Sequence, residues 1–412
     1  RLSLVGSEMC IRDRVEELGI EELAVRSEAA ADNRFIYRDG RLQPLPLSFG
    51  GFLGTRLLST RAKLRLMAEP FVRNGARPDD TAWQFFVRRF GEEAAMYVMG
   101  PFVSGIYAGD PKLLGARAAF PKFYDFERTS GSMIGGSIKY MLAKRRRMKR
   151  EGIKSRKGLF SFEGGLGRVT AELAARLGQR VLTDAPVESV SHEHSEFTVE
   201  AAGGPYRSRA LVSAVPPTAA SKILERLVPD IVRPMEAIPM APVTLIHWSQ
   251  PAGTGHIPPG FGFLMPRHYG LRVLGTVFAS QLFSGRAPAG RELLSSFYGG
   301  MLDRQFMELD DQQVIDTLRS EHSRILGCDL TRPEMIRIIR YPGAIPQLLP
   351  DHPERMEEIE RCLARHPGLV LAGNYLTGVG VEHAVASGYN AYSQVRGYLA
   401  EAGAVSTERA QA

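Results

Sequence analysis

The sequence predicts a mixed α/β fold, with helices and strands in an α+β arrangement, and three observations support this prediction. Residues 57–150 space their apolar residues as amphipathic helices do. Residues 238–300 hold short apolar runs separated by turn residues, which is typical of an antiparallel sheet. The segment LAGNYLTGVGVEHAVASGYNA (371–391) reads as a strand, a glycine-rich turn and a helix. Such a turn lets backbone N–H groups approach a phosphate or a flat ring, so we expect a nucleotide site there.

Helices are predicted where caps precede apolar periodicity. Asp79, Asp80 and Thr81 offer caps before AWQFFVRRFGEEAAMYVM, which predicts a helix reaching about residue 107. The same spacing predicts further helices at 57–72, 134–150, 311–327 and 354–365.

Strands are predicted from short apolar runs bounded by turns. We expect one strand around Val181 and Leu182 and another from Val187 to Val190. The further strand candidates are FTVEA (197–201), RALVSAVPP (209–217), VTLIHW (243–248), FGFLMP (261–266), RVLGTVF (272–278), LLSSFYGG (293–300) and MIRIIRYP (335–342).

Composition limits the classes of protein to consider. With 412 residues, 44% of them hydrophobic, the chain can bury a large core in two or three domains. No run approaches the length of a membrane-spanning helix. Cys10, Cys328 and Cys362 are widely separated, which suits a reducing compartment and predicts no disulfide framework. The nine histidines form no HExxH motif, so we expect no metal site.

Positive charge is concentrated in one segment. The chain carries a formal charge of +7, and AKRRRMKREGIKSRKG (143–158) holds nine Lys or Arg against one Glu. One interpretation is a solvated helix end and loop. The other is attraction to anionic lipid headgroups, worth about 1 kcal/mol per basic residue near the surface. No aromatic residue interleaves with these charges, so nucleic acid is not an expected partner.

Taken together, several stretches resemble the oxygen-dependent, FAD-containing protoporphyrinogen oxidases, which belong to the monoamine-oxidase-like flavoproteins. They follow the order found in that family across nearly all of the chain after residue 15, and NRFIYRDG with GVGVEHAVASG is the most specific pair. The stretches are NRFIYRDGRLQPLP (33–46), GPFVSGIYAGDP (100–111), FSFEGGLGRV (160–169), LVSAVPP (211–217), GFGFLMP (260–266), YPGAIPQ (341–347) and AGNYLTGVGVEHAVASG (372–388).

The resemblance implies three domains: a Rossmann-like FAD-binding domain, a mostly antiparallel β substrate domain and a helical membrane-binding domain. The expected bounds are 15–30, 158–230 and 340–400 for the first, 31–56 and 231–339 for the second, 57–157 for the third, and 401–412 for a tail.

The beginning of the chain departs from the family pattern. The family opens with a strand, a GxGxxG turn and a helix that hold the FAD pyrophosphate, and RLSLVGSEMCIRDRVEELGIEEL (1–23) contains none of these. SLVGSEMCIRDR resembles a translated sequencing-adapter artefact, the alternative being an ordinary polar terminus. We therefore expect residues 1–14 to be a non-native leader and the first half of the FAD site to be absent.

The resemblance also implies a reaction, a cofactor and partners. The reaction is oxidation of protoporphyrinogen IX to protoporphyrin IX in haem biosynthesis, with FAD as cofactor and oxygen as acceptor. The alternatives are oxidation of coproporphyrinogen III, which carries four carboxylates instead of two, an amine oxidase or carotenoid desaturase, and an inactive fragment. A cytoplasmic protein in peripheral contact with an anionic membrane through 143–158 is expected, and the family is often dimeric, so a homodimer is expected too.

Site residues are carried over from the matching motifs. No side chain is expected to act as acid, base or nucleophile, because the flavin takes the hydride. Arg34 matches the arginine that pairs with a substrate carboxylate. The other expected substrate contacts are Phe261, Gly262, Leu264, Phe297, Ala108 and Gly109. The expected cofactor contacts are Val187 near the adenine, Tyr341 beside the isoalloxazine, and Gly373, Val379, Gly380 and Val381 near the flavin.

Overall fold

A computed structural model of the chain describes residues 19–46, 48–73, 75–150, 159–327 and 335–411, with side chains as far as residue 402. The expected leader (1–14), the second half of the basic segment (151–158), Cys10 and Cys328 lie outside the described residues.

The strands are numbered in chain order. They are β1 Ala24–Arg26, β2 Arg34–Arg38, β3 Arg41–Pro44, β4 Phe160–Phe162, β5 Val187–Glu193, β6 Glu196–Ala201, β7 Gly204–Ser208, β8 Leu211–Ser213, β9 Met240–Pro251, β10 Gly262–Leu264, β11 Val273–Val277, β12 Arg291–Gly299, β13 Met335–Pro346 and β14 Leu369–Leu371.

The α-helices are numbered in the same way. They are α1 Phe49–Gly54, α2 Thr60–Met67, α3 Ala82–Phe90, α4 Glu92–Ala94, α5 Gly100–Tyr107, α6 Ala116–Ala119, α7 Pro121–Ser130, α8 Met133–Arg150, α9 Gly167–Leu177, α10 Pro217–Leu224, α11 Val232–Glu236, α12 Ala279–Leu282, α13 Asp311–Leu326, α14 His352–Leu363 and α15 Val381–Gln411.

The chain divides into two compact units. Among the described residues, the first unit contains Leu166–Pro239 and residues 19–22 and 351–411, and the second contains Leu23–Gly165 and Met240–Pro350. Helices and strands occur in both units, so the predicted mixed α/β class is confirmed. The finer division into three domains stays a prediction.

The second unit is built on a seven-stranded sheet with the order β13-β9-β12-β11-β10-β2-β3. Its pairs are antiparallel except for β10 with β2, which run parallel. The predicted strands VTLIHW, FGFLMP, RVLGTVF, LLSSFYGG and MIRIIRYP all form and all belong to this sheet.

One face of this sheet packs against α13. Phe263, Ile246 and Trp248 from the sheet form a buried core with Val314 and Leu318 from the helix. Because side chains alternate between the two faces of a strand, the intervening residues lie on the other face, which we call the opposite face.

A buried polar network fixes α13 beneath the sheet. His322, which is fully buried, places Nε2 2.8 Å from Thr276 Oγ1 and 3.0 Å from Ser296 Oγ. Trp248 Nε1 donates to the same Ser296 Oγ at 2.9 Å. Glu321, one residue earlier, accepts backbone hydrogen bonds at the start of β11. The helix therefore holds strands β9, β11 and β12 in one register.

Residues 57–150, in the second unit, are mostly helical as predicted, but the helix expected from residue 79 to 107 is interrupted. Thr81 and Gln84 form a capping box that starts α3. Gly91, at φ +86°, ends that helix, and a π-helical stretch, Ala95–Met99, leads into α5. The helix expected as far as residue 107 is therefore interrupted.

A buried ion pair ties these helices together. Arg89 and Glu69 are both fully buried, and Arg89 Nε donates to Glu69 Oε1 at 2.7 Å. Glu69 also accepts from Ser132 Oγ and from the backbone N–H of Met133, at the start of α8. Burial opposes ionisation, yet these hydrogen bonds hold the pKa of Glu69 below its ordinary value.

The first unit combines a parallel strand pair with an antiparallel meander. Strands β8 and β14 pair in parallel, and β5, β6 and β7 follow one another as antiparallel neighbours. A core of apolar residues from β5, α10, α11 and α14 surrounds Phe197 and Leu224, which are fully buried. None of the helices within the described residues is long and apolar enough to cross a membrane.

Two strand predictions for the first unit were incomplete. The strand expected around Val181 and Leu182 is wrong. Both residues are exposed and follow a 3-10 turn, Gly178–Arg180, and none of the strands in the described part of the chain pairs with them. Strand β7 forms at GPYRS (204–208), where Gly and Pro suppressed the strand signal. Its pairing with β6 supplies the hydrogen bonds that the local sequence does not predict.

Acid should destabilise the protein through His322. Burial lowers the pKa of this imidazole to about 4, so the unfolded state binds a proton more readily between about pH 6.5 and pH 4. The stabilising effect of neutral His322 is complete above pH 6.5 and is lost as the pH falls towards 4, by about 3 kcal/mol. Urea unfolding should show the parent losing this amount relative to His322→Gln, which cannot titrate.

The exposed His256 supplies the matched control, because His256→Gln removes a solvated imidazole. A free-energy difference between the parent and His322→Gln that stays constant from pH 7 to pH 4.5 would contradict a neutral, hydrogen-bonded His322.

Candidate functional site

The opposite face of the sheet carries a row of residues matched by strand register, which we call the polar row. Each member is the direct cross-strand partner of the next, so all six share one face. In spatial order they are Arg34, Gly262, Val277, Ser295, His247 and Arg337.

The neighbouring row on the same face is apolar, and we call it the apolar row. Its members lie two residues along each strand from the polar row, so they share its side of the sheet. They are Ile36, Leu264, Gly275, Phe297, Leu245 and Ile339. The opposite face therefore presents an apolar strip bordered by a strip with cationic ends.

Arg34 is exposed at the start of β2 and is available to a ligand. Its guanidinium carbon lies 5.2 Å from the centre of the Phe261 ring. Within the part of the chain that the structure describes, no carboxylate pairs with it. A guanidinium held over an aromatic ring, with its donor fork free, can bind a carboxylate in a fixed orientation.

Close packing fixes the positions of Gly262 and Leu264. A Cβ atom at Gly262, whose φ is +143°, would lie 2.1 Å from the carbonyl oxygen of Thr276, so only glycine fits there. Leu264 packs under α5, where a Cβ atom at Gly105 would lie 2.3 Å from its Cδ2. These contacts fix Leu264 in the apolar row.

Phe297 meets the carboxyl end of α5. It packs against a buried cluster that includes Ala108, which ends the helix with a left-handed backbone at φ +46°. Gly109 is buried next to it, and a Cβ atom there would lie 2.6 Å from Gln347 Oε1. The structure thus brings the expected substrate contacts Phe297 and Ala108 together.

Three polar residues on the opposite face were missed by sequence reasoning. His247 Nδ1 lies 2.8 Å from Ser295 Oγ, and Arg337 is the cross-strand partner of His247. Burial, and then the positive charge of Arg337, lower the pKa of His247. The sequence showed VTLIHW and MIRIIRYP as apolar strands, and only their register identifies His247 and Arg337 as neighbours.

Tyr341, the residue expected beside the isoalloxazine, lies on β13 in the second unit. It is 46% exposed and pairs with Val243, so it shares the opposite face with Ile339 and Arg337. A large ring left this exposed on a sheet is available to stack on a flat ligand.

In the first unit, the chain leaving β14 makes the glycine turn predicted from the sequence. Gly373 and Gly378 have φ of +152° and +157°, and added Cβ atoms would lie 2.6 Å from the Tyr375 ring and 2.9 Å from the His383 ring. Ser387 Oγ accepts from the Gly373 backbone N–H at 2.9 Å. Val379, Gly380 and Val381 then lead into α15, with Val381 exposed.

The other cofactor candidate of the first unit, Val187, lies at the start of β5. It is 39% exposed and lines a groove of about 280 Å³ with Leu182, Tyr206 and Leu211. Ser213 ends β8, the parallel neighbour of β14, and its buried hydroxyl has no hydrogen-bond partner among the described residues. An apolar groove of this kind suits an adenine ring.

The chain belongs to the flavin containing amine oxidoreductase family, whose profile matches residues 3–395. It is similar to the chloroplastic protoporphyrinogen oxidase of Oryza sativa subsp. japonica, with 30% identity over 89% of this chain and 72% of the relative. It is 26% identical to the coproporphyrinogen III oxidase of Bacillus subtilis (strain 168), over 93% of this chain and 83% of the relative.

Solved structures share the fold. A protein from Exiguobacterium sp. 255-15 aligns with a TM-score of 0.77 and 21% identity, over 94% of this chain and 84% of its own. Cyclohexylamine oxidase from Brevibacterium oxydans IH-35A aligns with a TM-score of 0.63 and 16% identity, over 96% and 86% of the two chains.

The chain is therefore an oxidoreductase with FAD as its cofactor. Residues of the first unit are compatible with the two ends of that cofactor: the apolar groove at Val187 with the adenine, and the glycine turn around Gly373, Val379, Gly380 and Val381 with the flavin. The described residues contain no counterpart of the GxGxxG turn. The individual roles of the site residues stay predictions.

Gly105 and Leu264 should show a strong stability coupling. Gly105→Ala places a methyl group against Leu264 and should cost about 1–3 kcal/mol of unfolding free energy. Adding Leu264→Ala removes the clash, so the double variant should be at least about 1 kcal/mol more stable than the sum of the single changes predicts. Denaturant unfolding of the four proteins measures this coupling.

The control is Gly397→Ala on α15, where an added Cβ meets nothing within 4 Å and a helix former replaces glycine. Additive single changes at Gly105 and Leu264 would show that α5 does not hold Leu264 in the apolar row.

Val187 should contribute to flavin retention. Val187→Asp puts a carboxylate into an apolar groove, which should weaken FAD binding at least tenfold, or about 1.4 kcal/mol. Titration of the apoprotein with FAD, followed by flavin fluorescence, measures the change. Leu173→Asp, at an exposed apolar position on α9, controls for the added charge. Equal affinity of the two variants for FAD would show that Val187 does not contact the cofactor.

Proposed function

We propose that the protein is an FAD-dependent oxidase that converts protoporphyrinogen IX to protoporphyrin IX with oxygen as the acceptor. One observation carries the proposal: the guanidinium of Arg34, with which no described carboxylate pairs, borders the apolar row on a single face of the sheet. The relatives named for protoporphyrinogen and coproporphyrinogen support a porphyrinogen as the substrate.

The opposite face matches the chemistry of a porphyrinogen. The body of its macrocycle is apolar and its rim is acidic, so it needs an apolar wall with a cation at the border. Leu264 and Phe297 supply that wall, and Arg34 supplies the cation. A bidentate hydrogen bond from Arg34 would fix the rotation of the ring against the apolar row.

Removal of a hydride from the macrocycle requires that the substrate is held in one orientation and that water is excluded from its face. When bound, FAD supplies the acceptor for the hydride removed from the macrocycle. The apolar row excludes water from the face of the ring, and the packing of Leu264 under α5 keeps that wall in place. Arg34 holds a carboxylate and, as a permanent cation, takes no part in proton transfer.

Arg34 should determine substrate affinity. In the flavin-loaded protein, Arg34→Met should lower kcat/KM for protoporphyrinogen about tenfold, mainly through KM, because a charge-assisted hydrogen bond is lost. Arg34→Lys keeps the charge without the fork and should recover part of the loss. Porphyrin fluorescence in aerated buffer, corrected for autoxidation, follows the reaction.

Arg324→Met provides the control, because Arg324 is exposed on α13, which covers the other side of the sheet. A flavin-loaded protein that oxidises neither protoporphyrinogen nor coproporphyrinogen would overturn the proposed function and favour an amine or carotenoid substrate.

We also propose that α8 contacts an anionic membrane. Ile138, Met141 and Leu142 are exposed, and Arg145 continues the same side of the helix at the next turn. An exposed apolar strip followed by cations is typical of a helix lying in a lipid interface. The expected homodimer stays a prediction.

Sedimentation with lipid vesicles tests the membrane contact. The protein should bind vesicles that contain phosphatidylserine more tightly than neutral ones, and binding should weaken several-fold in Arg145→Glu and with added salt. Arg324→Glu makes the same charge change away from α8 and should bind as the parent does. Equal binding to both kinds of vesicle would contradict the proposal.

A further inference from the structure

A second basic group lies at the far end of the polar row from Arg34. Arg337 on β13 is the cross-strand partner of His247 on β9, which in turn is the partner of Ser295 on β12. His247 Nδ1 and Ser295 Oγ are 2.8 Å apart. A guanidinium, an imidazole and a hydroxyl thus meet on one face. The guanidinium can donate to a carboxylate, and of the hydrogen-bonded imidazole and hydroxyl, one keeps an N–H or O–H to donate.

The guanidinium of Arg337 is exposed, and no carboxylate among the described residues pairs with it. Arg340, three residues along the same strand, is bound by Asp311 at 2.7 Å and by the Leu309 carbonyl at 2.9 Å. Arg337 has no such partner within the described ranges. Its charge acts on His247 instead, since it adds to burial in lowering the pKa of that imidazole.

The two basic groups are separated by the width of the sheet. Arg34 lies on β2 and Arg337 on β13, five strand spacings apart, or about 24 Å between backbones. Both side chains project from the same face, and the apolar row connects the two ends. This face therefore carries an apolar row with a cation at each end, a pattern that can attract an apolar ligand with carboxylates on two opposite edges.

A charged residue on an edge strand such as β13 can also serve to prevent edge-to-edge pairing. That role would require only exposure. It does not explain why Arg337 shares a face with a half-buried histidine that is hydrogen-bonded to a buried serine.

We propose that Arg337, His247 and Ser295 form a second carboxylate subsite, and that the protein binds porphyrinogens with carboxylates on both edges more tightly than those with carboxylates on one edge. This inference rests on the proposed function and extends its range of substrates. Coproporphyrinogen III, with four carboxylates, can engage both Arg34 and the second subsite, whereas protoporphyrinogen IX, with two, can engage only Arg34.

The test compares both substrates in the flavin-loaded parent and in Arg337→Met. The ratio of kcat/KM for coproporphyrinogen III to that for protoporphyrinogen IX should fall at least fivefold in Arg337→Met, through KM for the first substrate alone. Arg34→Met should lower kcat/KM for both substrates, because it removes the group that they share. Arg324→Met, a matched loss of one exposed charge, should leave the ratio unchanged.

Suppose that the parent oxidises both porphyrinogens and that Arg337→Met leaves the ratio of their kcat/KM values unchanged. That result would contradict the second subsite but not the proposed function. Binding of coproporphyrin III, measured by quenching of its fluorescence, separates the two claims further. If neither substrate is oxidised, the proposed function fails, while a fivefold weaker binding of coproporphyrin III by Arg337→Met would still support the subsite.

Discussion

The hydrogen bonds that His322 makes beneath the central sheet determine which side chains of β9, β11 and β12 face outward. Thr276, Ser296 and Trp248 can reach this network only from the side of the sheet that packs on α13. A shift of one residue in any strand would break the network and turn the polar and apolar rows inward. The strand register that completes the hydrogen bonds of the buried His322 is therefore the same register that places the polar and apolar rows on the opposite face.

The same constraint explains how the site can be rigid without a catalytic acid or base. Strand pairing places Arg34, Leu264 and Phe297 on one surface, and α5 closes over part of it through the contact of Gly105 with Leu264. When the cofactor carries out the chemical step, the protein has to supply a complementary surface, exclude water and position a few charges. The opposite face offers these three properties.

Local sequence patterns predicted the elements well and their pairing poorly. Strands β9 to β13 of the second unit, the capped α13 and the closing glycine turn all followed from periodicity and caps, and family motifs suggested Arg34 and Leu264 as site residues. The strand expected around Val181 failed, since none of the described strands pairs with it. The link between His247 and Arg337 depends on the register of strands far apart in the chain, which no local pattern encodes.

The most direct test of the central claim is a crystal structure of the flavin-loaded protein with protoporphyrin bound. We expect the macrocycle to lie against Leu264 and Phe297, with a carboxylate about 3 Å from the Arg34 guanidinium. A porphyrin bound elsewhere, with Arg34 left in solvent, would contradict the assignment of the opposite face as the substrate surface.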